Sequence, residues 1–501
     1  MYQPATFEID LATALPASNN AAVAVCVFAA EPQLSLAIED DGLGRTCAEL
    51  LRAGDFDGKA DTLLLCHVAG ASDERSTRRL LLVGLGARAD FTPFVLRRAA
   101  GASMRAARAA HITHLHFALP ATADTTAHAR AVAEGALDGA YENDFYQASD
   151  TEAPPALARL TIIAPTPHDA LHAAITRGHI VAESANWARA LADEPGASLP
   201  PREFARRAAE MAQEFGLRVE SLDASEIQAR GMGGLWGVGR GSDEPPALIV
   251  VRYEPEGAQA SDELWAFVGK GITFDTGGIS LKPGAKMEEM KADMAGGAAV
   301  LGALRALAQL RPQRRIVGVV PTAENMPSGK ATKPGDVVRT LAGYTIEVVD
   351  TDAEGRLVLV DGIAYARGLG ATRIVDLATL TGSIIVALGD HRAGLFSNDD
   401  AWAARVLAAG ERAGERAWRM PVSDDYKQKI ESPIADFKNY GGKPDATAAA
   451  LLLSKFAADT PWVHLDIAAT AWHDEAQPHA PKGATGAGVR TLVELVCTQE
   501  Q

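Results

Sequence analysis

Through the first third of the chain, short unbroken apolar runs alternate with longer stretches whose apolar residues recur every three or four positions. Residues 22–30 (AVAVCVFAA), 62–70 (TLLLCHVAG), 79–86 (RLLLVGLG), 111–119 (HITHLHFAL) and 160–165 (LTIIAP) predict strands, and 94–110 and 123–137 predict helices between them. Leucine and β-branched runs separated by helices indicate an α/β domain with a largely parallel sheet. In 111–119 the histidines alternate with apolar residues. On a strand, His114 and His116 share a face that His111 does not, so a half-buried edge strand is expected there rather than a metal site. Composition turns to Pro, Ala and Thr over 153–167, and 169–191 then predicts a long connecting helix, stopped at Asp193-Glu194-Pro195-Gly196. From Pro200 the alternation restarts and runs nearly to the end, without heptads, low-complexity tracts or solenoid-length repeats. The pattern predicts two α/β domains, each with a mixed or largely parallel sheet flanked by helices. They occupy 1–165 and 196–501 and are joined by a helix over 166–195.

A chain of 501 residues exceeds one ordinary core, which agrees with two domains. Hydrophobic residues at 47% and charged residues at 22% are the mix of a globular chain, not a disordered one. The formal net charge of −16 repels phosphates and argues against general nucleic-acid binding. Cys26, Cys47, Cys66 and Cys497 are scattered without CxxC spacing, against a disulfide framework or a thiolate zinc site. The first residues, MYQPATFEIDLATALP, lack a basic n-region and an apolar h-region. No apolar run approaches the roughly 20 residues of a membrane helix. A cytoplasmic location and no membrane partner are the expectation.

Chemistry concentrates in 268–299, VGKGITFDTGGISLKPGAKMEEMKADMAGGAA. An apolar strand leads into a glycine-rich loop carrying Lys270, Asp275 and Lys282. A helix is expected from near Met287, with Asp293 on it and Met290 one turn earlier on the same face. Gly296 and Gly297 inside that helix each cost roughly 1 kcal/mol relative to Ala, which a close backbone contact or a ligand would offset. A second segment, 345–360 (TIEVVDTDAEGRLVLV), places Asp350, Asp352 and Glu354 at period two; if extended, they face one side. Carboxylates at this density repel one another unless cations lie between them. The donors are oxygens with one amine and no His or Cys, a set that suits Mn²⁺, Mg²⁺ or Zn²⁺. Asp275, Asp293, Asp352 and Glu354 would neutralise two dications. A lone DxDxE run is more often a solvated acidic loop, but the two segments together, each flanked by apolar strands and glycines, favour metal.

Lys270, Asp275, Lys282, Asp293 and TDAEGRL (351–357) resemble the signature of the leucyl aminopeptidase, or cytosol aminopeptidase, family. The resemblance continues through MGGLWGVGRGS (232–242), VVPTAENMPSG (319–329), ATLTGSIIVALG (378–389), IADFKNYGG (434–442), HLDIAATAW (464–472) and PKGATGAGVR (481–490). It implies a metal-dependent exopeptidase that hydrolyses the N-terminal residue, preferentially Leu-like, from peptides through a metal-bridging hydroxide. By resemblance, Lys270, Asp275, Asp293 and Glu354 hold one divalent ion and Asp275, Asp352 and Glu354 the other. Mn²⁺ or Zn²⁺ leads, with Mg²⁺ or Co²⁺ as alternatives. A lysine ligand must be a neutral amine, which adjacent dications and burial both favour. The resemblance further implies Lys282 as oxyanion stabiliser and Arg356 as holder of a bicarbonate general base. Met290, Thr379, Gly382 and Ala468 would line an apolar substrate pocket, and the assembly would be a homohexamer.

The chain departs from the family pattern at Asp350, where Asn is usual, at Ala469, where Gly is common, and at Ala487, where an aromatic often stands. It also reads LADEP at 191–195, where an Asn–Pro pair is common. None of these removes a candidate ligand. A different class of reading is a DNA-binding or regulatory role, known for some bacterial relatives, through a strip of Arg97, Arg98, Arg105 and Arg108 on one helix; a solvated helix face is the plainer explanation. A phosphate loop at GVGRGS or VGKG lacks the GxxxxGK[ST] spacing and sits beside carboxylates.

Overall fold

The apolar runs of the first third pair side by side. A computed structural model describes residues 4, 6–15, 21–31, 41–69, 77–120, 124–147, 157–164 and 169–498. The chain divides into two units, Met1–Asn186 with Asp474–Lys482, and Trp187–His473 with Gly483–Gln501. The predicted connecting helix, Asp169–Asp193, runs through the division.

In the first unit a six-stranded sheet has the order Glu8–Ala12, Arg159–Ile163, His114–Ala118, Ala21–Val27, Thr77–Gly84, Leu63–Ala69. Every neighbouring pair is parallel except the last. One face packs Leu81, Val83, Leu115, Phe117, Leu160 and Ile162 against the helices Pro93–Ala109 and Thr125–Ala140. These helices touch at glycines: a Cβ on Gly135 would lie 2.0 Å from Arg97 O, and one on Gly139 2.3 Å from Gly101 O. The other face carries Val23, Val25, Leu80 and Leu82 under Leu43 and Cys47 of the helix Asp41–Ala53.

The edge position expected for 111–119 is not found. His114–Ala118 is paired on both sides, by Ala21–Val27 and Arg159–Ile163, and the edges belong to Leu63–Ala69 and to Glu8–Ala12, where Ile9 and Leu11 alternate with Glu8 and Asp10. His114 Nε2 lies 2.8 Å from Thr161 Oγ1. His116, whose ring centroid is 4.1 Å from that of His114, is only 2% exposed, and among the described residues neither of its ring nitrogens has a hydrogen-bond partner. His111, in the turn before the strand, takes a left-handed φ of 54°.

The second unit is built on a nine-stranded mixed sheet. Its centre is parallel: Arg315–Asn325, Leu264–Gly269, Arg373–Ala378 and Trp462–Asp466 lie side by side. Antiparallel strands, Ala247–Tyr253 and Ala393–Ser397, flank this centre. Successive strand residues face opposite helices: Gly318 lies under Val300 and Leu304 of Ala295–Leu310, while Val317 and Val319 share a core with Val358 and Leu359 of Gly355–Gly368. The first helix needs its paired glycines. A Cβ on Gly296 would stand 2.2 Å from Leu377 O, and one on Gly297 2.6 Å from Val320 Cγ1. Close backbone approach therefore offsets their poor helix propensity.

Two local expectations are corrected. Residues Met287–Ala292 form a 3₁₀ segment, and Asp293 closes it just before the α-helix begins at Ala295, so Asp293 is not inside a helix. After the short strand Thr345–Glu347 the chain turns through 350–354 and enters the helix at Gly355. Asp350, Asp352 and Glu354 therefore do not line one face of a strand. Among the described residues no helix is long and apolar enough to cross a membrane.

Candidate metal centre

Parallel strands deliver their C-terminal ends to one place, where open α/β sheets bind ligands. Lys270 follows Leu264–Gly269, Asp275 ends Gly271–Asp275, Asn325 ends Arg315–Asn325, Thr379 follows Arg373–Ala378 and Asp466 ends Trp462–Asp466. The 3₁₀ segment adds Asp293, and the turn before the Gly355 helix adds Asp352 and Glu354.

Asp275, Asp293 and Glu354, all buried, each offer an oxygen within 4.8 Å of the others. The Lys270 amine stands 2.8 Å from Asp293 Oδ2 and 2.7 Å from Glu354 Oε1, and donates to Thr379 O at 3.0 Å. The Lys282 amine stands 2.8 Å from Asp275 Oδ2 and 2.6 Å from Asp352 Oδ1. Thus all five proposed ligands and Lys282 lie in one connected cluster. Lys270 is reached only because position 355 is glycine: a Cβ there would lie 2.7 Å from the amine. The loop after Asp275 depends on Gly277 and Gly278, with φ of 85° and 65°, where added side chains would meet Asp352 Oδ1 and Asn325 Oδ1.

Electrostatics separate these groups from surface acids. Burial first, then the Asp275 charge, pushes the Glu354 carboxyl well above its ordinary range; burial also raises Asp293, against the pull of Lys270. Burial is likewise the largest influence raising Asp352. For Lys270 and Lys282 burial is the largest single influence and opposes the ammonium, but the surrounding carboxylates outweigh it and both are raised. Four carboxylates face two ammonium groups, so negative charge is left over. Among the described residues Glu354 Oε2 is buried without a hydrogen-bond partner. A hard-oxygen donor set with surplus negative charge and a bare buried lone pair fits divalent cations.

Side chains that sequence reasoning passed over hold this cluster. Asn325 Nδ2 donates to Asp275 Oδ1 at 2.8 Å and to Thr351 O at 3.0 Å. Thr351 Oγ1 donates to Gly277 O at 2.6 Å and accepts from Ser280 N at 2.8 Å, joining the two ligand segments. Asn439 accepts from Val349 N at 2.8 Å and donates to Asp350 O at 2.5 Å, clamping the turn. The departure at Asp350 is absorbed there: its Oδ1 accepts from Asp352 N at 2.9 Å. Asn325, Asn439 and Asp466 lie within the motifs at 319–329, 434–442 and 464–472, but nothing in the sequence assigns them these contacts.

Residues 186–493 match the model of the cytosol aminopeptidase family catalytic domain, and residues 24–150 that of the family's N-terminal domain. The chain belongs to the cytosol aminopeptidase family. A probable cytosol aminopeptidase of Acidobacterium capsulatum is 46% identical over 498 residues, covering 98% of this chain and 96% of its own. Another, from Solibacter usitatus, is 47% identical over 449 residues, covering 89% and 92%. Among solved structures, bottromycin maturation enzyme BotP in complex with Mn matches with a TM-score of 0.83 and 38% identity, covering 96% of this chain and 99% of BotP. As a cytosol aminopeptidase the protein is a hydrolase acting on peptides, a metal-dependent exopeptidase.

Arg356 is buried and donates through Nη1 to Asn439 O at 2.8 Å, while Nη2 lies 2.9 Å from Asp445 Oδ1. Thr379 Oγ1 donates to Asp293 Oδ1 at 2.8 Å, which puts it in contact with the ligand cluster itself. Gly382 begins the helix Gly382–Leu388, with open space where a side chain would be. Asp466 ties that loop together: it accepts from Leu380 N at 3.1 Å, Thr381 Oγ1 at 2.7 Å and Ala468 N at 3.2 Å. Thr379, Gly382 and Ala468 are thus brought to one neighbourhood. Met290 is half-buried in the 3₁₀ segment, and its carbonyl accepts from Asp293 N at 3.3 Å.

Proposed function

We propose that this chain is a leucyl aminopeptidase using two divalent ions, Mn²⁺ or Zn²⁺ before Mg²⁺ or Co²⁺, to release Leu-like N-terminal residues from peptides. The observation that carries the reading is the convergence of Lys270, Asp275, Asp293, Asp352 and Glu354 with Lys282 at the strand ends. Lys270, Asp275, Asp293 and Glu354 would hold one ion, and Asp275, Asp352 and Glu354 the other. When bound, the ions supply an activated water at neutral pH and polarise the scissile carbonyl.

The protein's own groups do the rest. The Lys282 side chain, partly open to solvent where Lys270 is buried, is placed to stabilise negative charge developing on the carbonyl oxygen. Arg356 holds the anion that carries a proton from the water to the leaving amine, bicarbonate being the candidate by resemblance. Thr379, Gly382, Ala468 and Met290 would shape the pocket for the first side chain. One methylene there changes binding by only about 1–3 kcal/mol, so preference for leucine is graded. We place the chemistry in 196–501, joined through 166–195 to the 1–165 domain, in a cytoplasmic homohexamer.

The deciding experiment is hydrolysis of leucine p-nitroanilide by metal-stripped protein, with Mn²⁺, Zn²⁺, Mg²⁺ and Co²⁺ added in turn. Recovery with one or more ions is expected; a folded protein inert with all of them removes the reading. The DNA-binding alternative gains no support from the helix Pro93–Ala109. Arg97 faces Glu134 and Asp138, Arg98 pairs with Asp61, and Arg105 and Arg108 share Glu142.

A further inference from the structure

The proposed hydrolysis needs a group that takes a proton from the attacking water and returns it to the leaving nitrogen. The ligand carboxylates are committed to cations, so the carrier must be a different anion near Arg356. Asp445 is such an anion. It opens the helix Asp445–Ala457, and its Oδ1 lies 2.9 Å from Arg356 Nη2. That oxygen is buried and, among the described residues, makes no hydrogen bond; it is held by the guanidinium as an ion pair, which leaves the second carboxylate oxygen to take up a proton. The Asp445 side chain is 19% exposed where the Arg356 side chain is 3% exposed, so the carboxylate, not the guanidinium, has the access. Its neighbour Ala446 donates from its backbone N–H to Ser383 Oγ at 2.9 Å, next to Gly382. The carboxylate therefore sits between the helix that starts with Gly355 and Arg356 and the helix that starts with Gly382 and Ser383. Those helices carry, respectively, the Glu354 turn and the proposed pocket.

We propose that Asp445 is the proton carrier of this enzyme, occupying with its own carboxylate the place on Arg356 that a mobile bicarbonate would otherwise take. The inference rests on the aminopeptidase reading. As water oxygen bonds to the scissile carbonyl carbon, its proton passes to Asp445; as the C–N bond breaks, the proton passes to the leaving nitrogen. One water is consumed, a free amino acid and a shortened peptide are released, and Asp445 returns to the carboxylate. Arg356 stays charged throughout and holds the carboxylate in place.

The test compares wild type, Asp445→Ala and Asp445→Asn on leucine p-nitroanilide in carbon-dioxide-free buffer, with and without sodium bicarbonate or formate. Wild type is expected to ignore both anions. Asp445→Ala should lose about 10²–10⁴-fold in kcat with little change in KM, and bicarbonate or formate should restore much of the loss because the vacated guanidinium accepts a free carboxylate. Asp445→Asn, which keeps the shape, should fall as far and resist rescue. Unfolding midpoints and bound-metal content confirm that the variants remain intact. The proposal is overturned if Asp445→Asn keeps kcat within about twofold of wild type, if wild type itself depends on bicarbonate, or if an intact, metal-loaded Asp445→Ala is not rescued. A wild type inert with every metal would instead sink the aminopeptidase reading, a distinguishable result.

Discussion

A methyl group at position 355 would take the space of the Lys270 amine. The contact is 2.7 Å to Nζ and to Cε, both at the end of a side chain that is itself pinned by Asp293, Glu354 and Thr379. Gly355→Ala should stay folded at a cost of about 1–3 kcal/mol for overpacking against the Lys270 side chain. Its kcat/KM on leucine p-nitroanilide should nevertheless fall on the order of 10²-fold, the usual cost of a small misplacement of a reacting group. Unchanged kinetics would mean that the Lys270 position is immaterial. Asn325 acts one step further out, because it fixes the Asp275 carboxylate from outside the cluster. Asn325→Ala should weaken metal binding about 10–100-fold in a competition with EDTA, the usual range for losing a ligand's supporting hydrogen bond.

At the scale of elements, the helix Gly355–Gly368 delivers Arg356 and the Glu354 turn, and one buried acid anchors it. Asp361 accepts from Leu235 N at 2.9 Å and from Leu341 N at 2.8 Å, and burial pushes its carboxyl up to about 7 despite those donors. Asp361→Asn turns an acceptor into a donor facing backbone N–H groups. It should cost about 1–3 kcal/mol, read as a lower urea midpoint, whereas equal stability would mean the anchor is dispensable. Elements of this kind show how far the pattern of residues carries. Continuous apolar runs such as 80–84 and 160–163 are strands because burial on both faces demands them, and the Ala-rich stretches between are helices. EIDLA at Glu8–Ala12 does carry a signal, Ile9 and Leu11 alternating with Glu8 and Asp10 as on a half-buried edge strand, but over only five residues. The run TDAEGRL, although its acids stand at period two, is a turn. Asn439, 89 residues from Asp350, fixes that geometry, and nothing local announces it. The ligand residue types and spacing were readable along the chain. The supporting shell of Asn325, Asn439 and Asp466 belongs to contacts that only folding creates.

For the whole molecule, acid tolerance is set in part by the first unit, in its six-stranded sheet. His116 is buried in a central strand, without hydrogen-bond partners among the described residues, and burial, with the charge of His114 adding, depresses its pKa to about 4. In the unfolded chain it titrates near 6.5. Between these values the unfolded state binds a proton that the native state refuses, so ∂ΔG/∂pH is positive and stability falls as pH drops from about 6.5 to about 4. Above 6.5 the group is neutral in both states and contributes no slope. Replacing it by a ring that cannot ionise, His116→Phe, removes this component and leaves the neutral-pH packing of an aromatic side chain in place. Urea unfolding of wild type and variant across that window should give midpoints that converge near pH 7 and separate progressively below it, the variant being the more acid-stable. Parallel curves with a constant offset would show that His116 affects packing alone, and that other groups govern acid unfolding of the sheet.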